Sequence, residues 1–262
     1  MITILTPTYN RAHTLHRLFS SLCAQNNKSF EWLVIDDGSQ DNTETLLHEF
    51  QKKSDFNIRI IFQENSGKHV AINTGVFSAK GDWIFIVDSD DALTPDAISE
   101  VSRSLKNLAL KQIAGVCYRK ANFNGLMIGS TDVFDSEMMC LKPTSAGRQL
   151  KGDLAYIFRK EFMLSNLFPV IAGEKFIPEL YIWNKISDYG DIYFYVNKFI
   201  YLCEYLPDGY SRNFFNCLKA NPRGFLIYYR AQVFRDDRVT AKLKCLVRAA
   251  QCYFFIFLKF IK

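Results

Sequence analysis

The sequence predicts an α/β fold built on a mainly parallel sheet with helices on both faces. Short runs of branched and aromatic residues recur through the first 120 positions, and stretches with helical spacing separate them. Polar clusters rich in Asp, Asn and Gly follow several of the runs directly, where strands of an open sheet end and ligands collect.

The predicted strands, in order, are Ile2 to Leu5, Trp32 to Ile35, Ile58 to Phe62, Trp83 to Val87 and Gly115 to Tyr118. Each reads as buried because its apolar residues run continuously rather than alternating. The first helix is drawn by Leu15, Leu18, Phe19 and Leu22, which share one face, and the second by Leu46, Leu47 and Phe50. Asp41 or Asn42 suits the cap of the second helix, and Thr94 before Pro95 suits an N-cap and first-turn pair for the fourth. From Asn122 to Gln149 glycine, polar residues and methionine predict irregular structure or an antiparallel excursion. Helical spacing returns over Asp153 to Leu167, another helix is expected over Glu179 to Tyr189, and Asp191 to Glu204 is strand-like. After Pro222 the pattern is helical. The expected divisions are therefore 1–120, 121–221 and 222–262.

Composition narrows the function classes. The 262 residues are 48% hydrophobic and 23% charged, which excludes disordered and low-complexity chains. The net charge of +5 is too weak on average for a nucleic-acid surface. From Pro222 onward, however, nine basic residues face only Asp236 and Asp237, so the tail carries +7 and the rest −2. Seven cysteines without a C-x-x-C pair indicate reduced thiols rather than a disulfide framework or zinc cage. No secretion leader and no long apolar run stand out, so a cytoplasmic protein is expected.

Four polar clusters point to one cleft: Pro7 to Asn10, Asp36 to Ser39, Gly67-Lys68, and Asp88 to Asp91. Any one could be a turn or a cap; their joint placement after strands argues for a site. Residues two apart in extended chain point the same way, so Asp88 and Asp90 can offer oxygens to one cation, with Asp91 adding negative potential. Hard ions such as Mg²⁺ or Mn²⁺ suit carboxylates combined with phosphate oxygens. A carboxylate at Asp36 or Asp37 can accept from a base N–H or a ribose hydroxyl, and Lys68 can neutralise a diphosphate as a point charge. Neither the G-x-x-x-x-G-K-[ST] loop nor G-x-G-x-x-G is present. His13 and His16 lack a third metal ligand, and Ser39 and Thr6 lack a histidine for nucleophilic catalysis.

Ile4 to Arg11, Val34 to Ser39, Asn65 to Gly75 and Asp88 to Asp91 together resemble the ordered motif set of family 2 glycosyltransferases with the GT-A fold. The resemblance covers residues 1–120 and implies an inverting, metal-dependent transferase. Its donor would be a nucleotide sugar, usually UDP-linked, and its setting bacterial surface-polysaccharide assembly. It divides the chain into a nucleotide-sugar-binding half (1–120), an acceptor and base half (121–221) and a basic helical tail (222–262). Thr8 and Asp37 would lie against the base, and Lys68 and Asn73 would face the nucleotide or its phosphates. Asp88 would meet ribose or metal and Asp90 the metal, with Asn10, Asp36 and Ser89 in the same donor-binding set.

Inversion needs a general base opposite the leaving group. The family's usual Glu-Asp pair is absent here. Glu179, after Pro178 at a helix start, is the favoured base, Glu174 and Asp191 are rivals, and complementing the helix dipole is the plainer role for Glu179. Cys203 to Ser211 also resembles a segment of capsular-polysaccharide-type transferases that closes over the donor. The Tyr193 to Tyr201 aromatic stripe reads as strand core before sugar platform. The tail, basic and aromatic, suits either an interfacial helix on anionic lipid, consistent with a lipid-linked saccharide acceptor, or docking on the core. The competing class is a non-catalytic nucleotide-sugar-binding or membrane-associated scaffold. A nucleotidyltransferase is weaker, because its glycine-rich N-terminal loop is missing.

Overall fold

The computed structural model describes residues 1–204 and 213–261. Its chain order is β1 (Ile2–Thr8), α1 (Ala12–Cys23), β2 (Phe30–Asp36), α2 (Thr43–Lys53), β3 (Asn57–Phe62), α3 (Lys68–Ser78), β4 (Trp83–Ile86), β5 (Ala92–Leu93), α4 (Ala97–Asn107) and β6 (Ile113–Ala121). There follow β7 (Met138–Cys140), α5 (Pro143–Leu150), β8 (Leu154–Arg159), α6 (Lys160–Leu164), α7 (Leu180–Ile186), β9 (Asp191–Leu202), α8 (Phe214–Ala220), α9 (Pro222–Arg235) and α10 (Val239–Ile261).

The strands form one sheet in the order β3-β2-β1-β4-β8-β6-β9-β5, with β7 also paired to β9. β3, β2, β1 and β4 are mutually parallel, as are β6 and β9, while β8 runs antiparallel between β4 and β6. Period-2 alternation supplies both faces. In β2, Trp32 and Val34 enter the core under α1, α2 and α4, and Leu33 and Ile35 enter the core under α3 and α7. A third, smaller cluster of Leu218, Phe225, Tyr229, Ala249 and Cys252 holds α8, α9 and α10 together.

All five predicted strands form, with ends shifted by a few residues, and the helices expected near 15–22, 46–50, 179–189 and after 222 are present. Three local expectations are corrected. The helix expected over 153–167 forms only at Lys160–Leu164, and Leu154–Arg159 before it is strand: Ala155 and Ile157 face one core, while Leu154, Tyr156 and Phe158 face the other. That alternation is buried on both sides, so its apolar run mimics helical spacing. Met138–Cys140 is indeed an antiparallel strand, but Pro143–Leu150 is a helix with proline in its first turn. The fourth helix starts at Ala97, two residues later than predicted. Thr94 Oγ1 donates to Asp96 Oδ1 at 2.6 Å, so the Thr94-Pro95-Asp96 segment closes a turn before the helix.

Phe158 is fully buried, with its ring 4.8 Å from that of Trp183 and 5.3 Å from that of Tyr156. Phe158→Ala should lower unfolding free energy by about 3–5 kcal/mol, read as a drop in the urea midpoint at unchanged slope.

Candidate active site

The polar ends of the parallel strands open on a single cleft of about 840 Å³. Thr8, Asp37, Lys68, Asp88, Ser89, Asp90, Asp91 and Glu179 all line it. Its donor-side wall is locally braced. Asn10, at φ 53°, donates its backbone N–H to Ser39 Oγ, and its Oδ1 accepts from Gln40 N, both at 2.8 Å. Asp36 Oδ1 accepts from Ser39 N. Asn10 therefore ties the β1 and β2 loops together, Asp36 closes the turn after β2, and neither lines the cleft. Of the two adjacent carboxylates, Asp37 is the one facing it.

Asp37 also shapes the next loop. Its Oδ1 accepts from Gln63 Nε2 at 2.7 Å and Ser66 N at 2.9 Å, and its Oδ2 accepts from Gly67 N at 2.8 Å. Gly67, at φ 97°, starts α3, and a Cβ there would overlap the Lys175 carbonyl oxygen. Only glycine satisfies both the left-handed backbone and this close approach. Lys175 in turn donates through Nζ to Asn65 Oδ1 at 2.6 Å and through its backbone N–H to Asn221 Oδ1 at 2.7 Å. The loop before α7 is thus clamped between the donor side and the start of α9.

Lys68, the first residue of α3, sits at the centre. Its Nζ lies 2.6 Å from Asp88 Oδ1 and 2.8 Å from Glu179 Oε1. Burial opposes its charge, but the two carboxylates outweigh burial and hold the ammonium well above the usual lysine value. Asp88 is likewise buried, yet Lys68 and Lys120 draw its pKa below the usual carboxylate value. Asp90 behaves oppositely, since burial and the Asp88 charge raise it. Asp91 is pushed up to about 7 by burial, with Asp88 and Asp90 adding to the rise and Lys120 opposing it. Tyr201 braces this turn by accepting from Asp88 N at 2.9 Å and donating to Asp91 Oδ2 at 2.7 Å. Lys120 Nζ stands 3.8 Å above the Tyr201 ring centroid and 3.9 Å from Asp91 Oδ2.

Among the described residues no group of three or more His, Cys, Asp and Glu side chains forms a self-sufficient metal cage. The donor set nonetheless fits a hard divalent ion shared with a ligand. Asp88 and Asp90 are oxygen donors; burial first and the Asp88 charge second raise Asp90, and a cation would offset the part due to Asp88. Phosphate oxygens and water would complete the shell.

The remaining predicted residues separate clearly. Glu179 caps α7 with its backbone, but its side chain makes no cap hydrogen bond and turns to Lys68 instead. Glu174 is buried away from that pair, accepting from Arg223 N at 2.9 Å and Gly224 N at 2.8 Å, so it caps the first turn of α9. Asp191, exposed at the start of β9, is not on the cleft. Asn73 is a correction: its amide exchanges hydrogen bonds with the Phe168 backbone, at 2.8 and 2.9 Å, and does not face the cleft. Sequence reasoning missed Lys120 at the end of β6 and read Tyr201 as strand core ahead of a sugar platform. Tyr156 and Trp183 also line the cleft, and no motif singles them out in the sequence. Cys203 and Glu204 also line the cleft, while the rest of the segment expected to close over the donor, 205–211, lies outside the described residues.

Residues 3–159 match the family model of glycosyl transferase family 2. The chain belongs to that family. An uncharacterised glycosyltransferase of Nostoc sp. is 32% identical over 100 residues, 38% of this chain and 31% of the relative. The poly-beta-1,6-N-acetyl-D-glucosamine synthase of Staphylococcus aureus is 35% identical over 96 residues, 37% of this chain and 23% of the synthase. The chain thus spans a third or less of either of these relatives. Among solved structures, Staphylococcus aureus TarS in complex with UDP-GlcNAc superposes with a TM-score of 0.68 at 18% identity, covering 98% of this chain and 72% of that one. A mannosyltransferase of Pyrobaculum calidifontis in complex with GDP-Man and Mn²⁺ gives 0.58 at 17% identity, covering 96% and 73%. The GT-A fold of this family 2 chain is therefore established across both halves, beyond the matched residues.

Glu174 and Glu179 can be told apart by stability. Glu174→Ala should lower unfolding free energy by about 1–2 kcal/mol through loss of the α9 cap. Nucleotide affinity should stay unchanged by calorimetry.

Proposed function

We propose that this family 2 protein transfers a hexose or N-acetylhexosamine from a UDP-sugar, with inversion, to a saccharide or lipid-linked saccharide acceptor in cell-surface polysaccharide assembly. The observation that carries the reading is the Lys68 bridge. One ammonium joins Asp88, at the end of a donor-side strand, to Glu179, at the acceptor-side helix. A cleft holding a phosphate-type charge partner, acidic oxygen donors and an opposed carboxylate suits displacement of a nucleoside diphosphate. The UDP and UDP-GlcNAc complexes of the similarly folded TarS support a uridine donor, and the surface-polymer synthase among the relatives supports the acceptor class.

In this reading Asp37 and Thr8 lie beside the nucleotide base, and Lys68 exchanges its Asp88 contact for the diphosphate. Ser89, buried on the same turn, sits within the donor set. Asp88 and Asp90 would hold Mn²⁺ or Mg²⁺, which when bound neutralises charge on the departing UDP. The acceptor oxygen forms its bond to the anomeric carbon as the bond to the diphosphate oxygen breaks. Glu179 takes the acceptor hydroxyl proton, so the nucleophile gains charge only as the leaving group accepts it. A one-step displacement needs no covalent enzyme intermediate, so the site requires no nucleophilic side chain.

UDP release from UDP-sugars in the presence of Mn²⁺ tests the reading. Asp90→Ala should reduce turnover by at least about 100-fold, and retained turnover counts against it. Glu179→Gln should lower kcat by about 10²- to 10⁴-fold while leaving UDP affinity unchanged by calorimetry. Lost UDP binding would remove Glu179 from the base role. UDP binding by the parent without transfer to any acceptor would favour the non-catalytic scaffold.

A further inference from the structure

The helix α10, Val239–Ile261, has two apolar faces, and the structure covers only one. Ala249 and Cys252 are buried against α8 and α9. On the opposite side Val239, Leu243, Leu246, Ala250, Phe254 and Phe257 recur at steps of three and four, forming one continuous exposed stripe. Leu243 is 56% exposed, Phe254 58% and Phe257 61%, in a helix tied firmly to the body of the protein. At 3.6 residues per turn Lys242 and Lys244 project about 100° to either side of Leu243, so cations flank the stripe along both edges.

From these observations we infer that α10 is a docking surface for an anionic lipid bilayer, lying in the interface with the Leu243–Phe257 stripe inward. Charge decides between occupants. Lys242 and Lys244 flank the stripe and the helix carries no acidic residue, whereas Arg248 and Lys259 turn to the Phe214 ring and the Ala220 carbonyl. A second copy packed on the stripe would therefore bring the two flanking lysines against like charges without a counter-charge. An anionic headgroup layer supplies the missing sign along both edges, and the exposed apolar face supplies insertion depth. Crossing the bilayer is excluded for this helix, since no described helix is long and apolar enough. The aromatic residues Tyr253, Phe254 and Phe257 gather toward its C-terminal half, a composition suited to the headgroup boundary. Docking on the core and contact with lipid, alternatives by sequence, thus belong to opposite faces of one helix.

The inference stands apart from the transferase reading, because its test measures binding and needs no turnover. The full chain is floated with vesicles of phosphatidylglycerol and phosphatidylcholine, and separately with phosphatidylcholine alone. Recovery should be at least about tenfold higher with the anionic vesicles and should fall with added salt. Leu243→Glu combined with Phe257→Glu, both exposed, should abolish recovery at an unchanged melting temperature. Should that variant misfold, Lys242→Glu with Lys244→Glu should also cut recovery by about tenfold. Equal recovery on both vesicle types, or equal recovery of a folded variant and the parent, overturns the inference. So does a dimer seen by sedimentation equilibrium that Leu243→Glu disrupts while the parent ignores vesicles.

Discussion

A half-buried ammonium between two carboxylates organises this molecule. Lys68 would be costly to bury alone, and Asp88 and Glu179 would be costly to bring together without it. Because Asp88 follows β4 and Glu179 stands at the start of α7, their shared cation joins a strand end to a helix start across the cleft. In the proposed reaction a diphosphate entering beside Lys68 would compete for the same charge, which would link donor binding to the position of Glu179 through one side chain. Burial, with the charge of Asp88 beside them, holds the Asp90 and Asp91 carboxyls above their ordinary values.

Backbone geometry supports that arrangement. Asp37 gathers the Ser66 and Gly67 amides, Gly67 allows the Lys175 carbonyl to approach, and Lys175 reaches back to Asn65 and forward to Asn221. The loop leading to Glu179 is consequently fixed from both sides. Glu174, five residues earlier, spends both oxygens on α9 amides. Two glutamates in one short segment acquire different duties through the elements they face.

The same coupling extends to the tail. The cap at Glu174 and the Asn221 contact tie α9 to the cleft wall, and α10 packs on α9 through Ala249 and Cys252. A surface that engages the outer face of α10 is therefore mechanically continuous with the loop carrying the proposed base. The connection is short because few residues separate Lys175, Asn221 and Gly224 in space.

What was legible in the sequence is what local chemistry dictates. Continuous apolar runs declared the parallel strands, the spacing of Leu15, Leu18 and Leu22 declared a helix, and Asp37, Lys68, Asp88, Ser89 and Asp90 followed strand ends onto one cleft. Residues 154–159 were misread because a strand buried on both faces has no polar phase to reveal its period. Asn73 sat within a motif yet turned to Phe168, 95 positions away, which no local pattern encodes. Lys120 and Tyr201 joined the site only because β6 and β9 pair beside the donor half. By itself the sequence determined most of the elements and the polar groups at the parallel strand ends, since both depend on near neighbours. The partners of Glu179, already favoured by sequence, and of Glu174, the two faces of α10 and the bridge through Lys68 were decided by tertiary structure. Those depend on which distant backbones come within hydrogen-bonding reach.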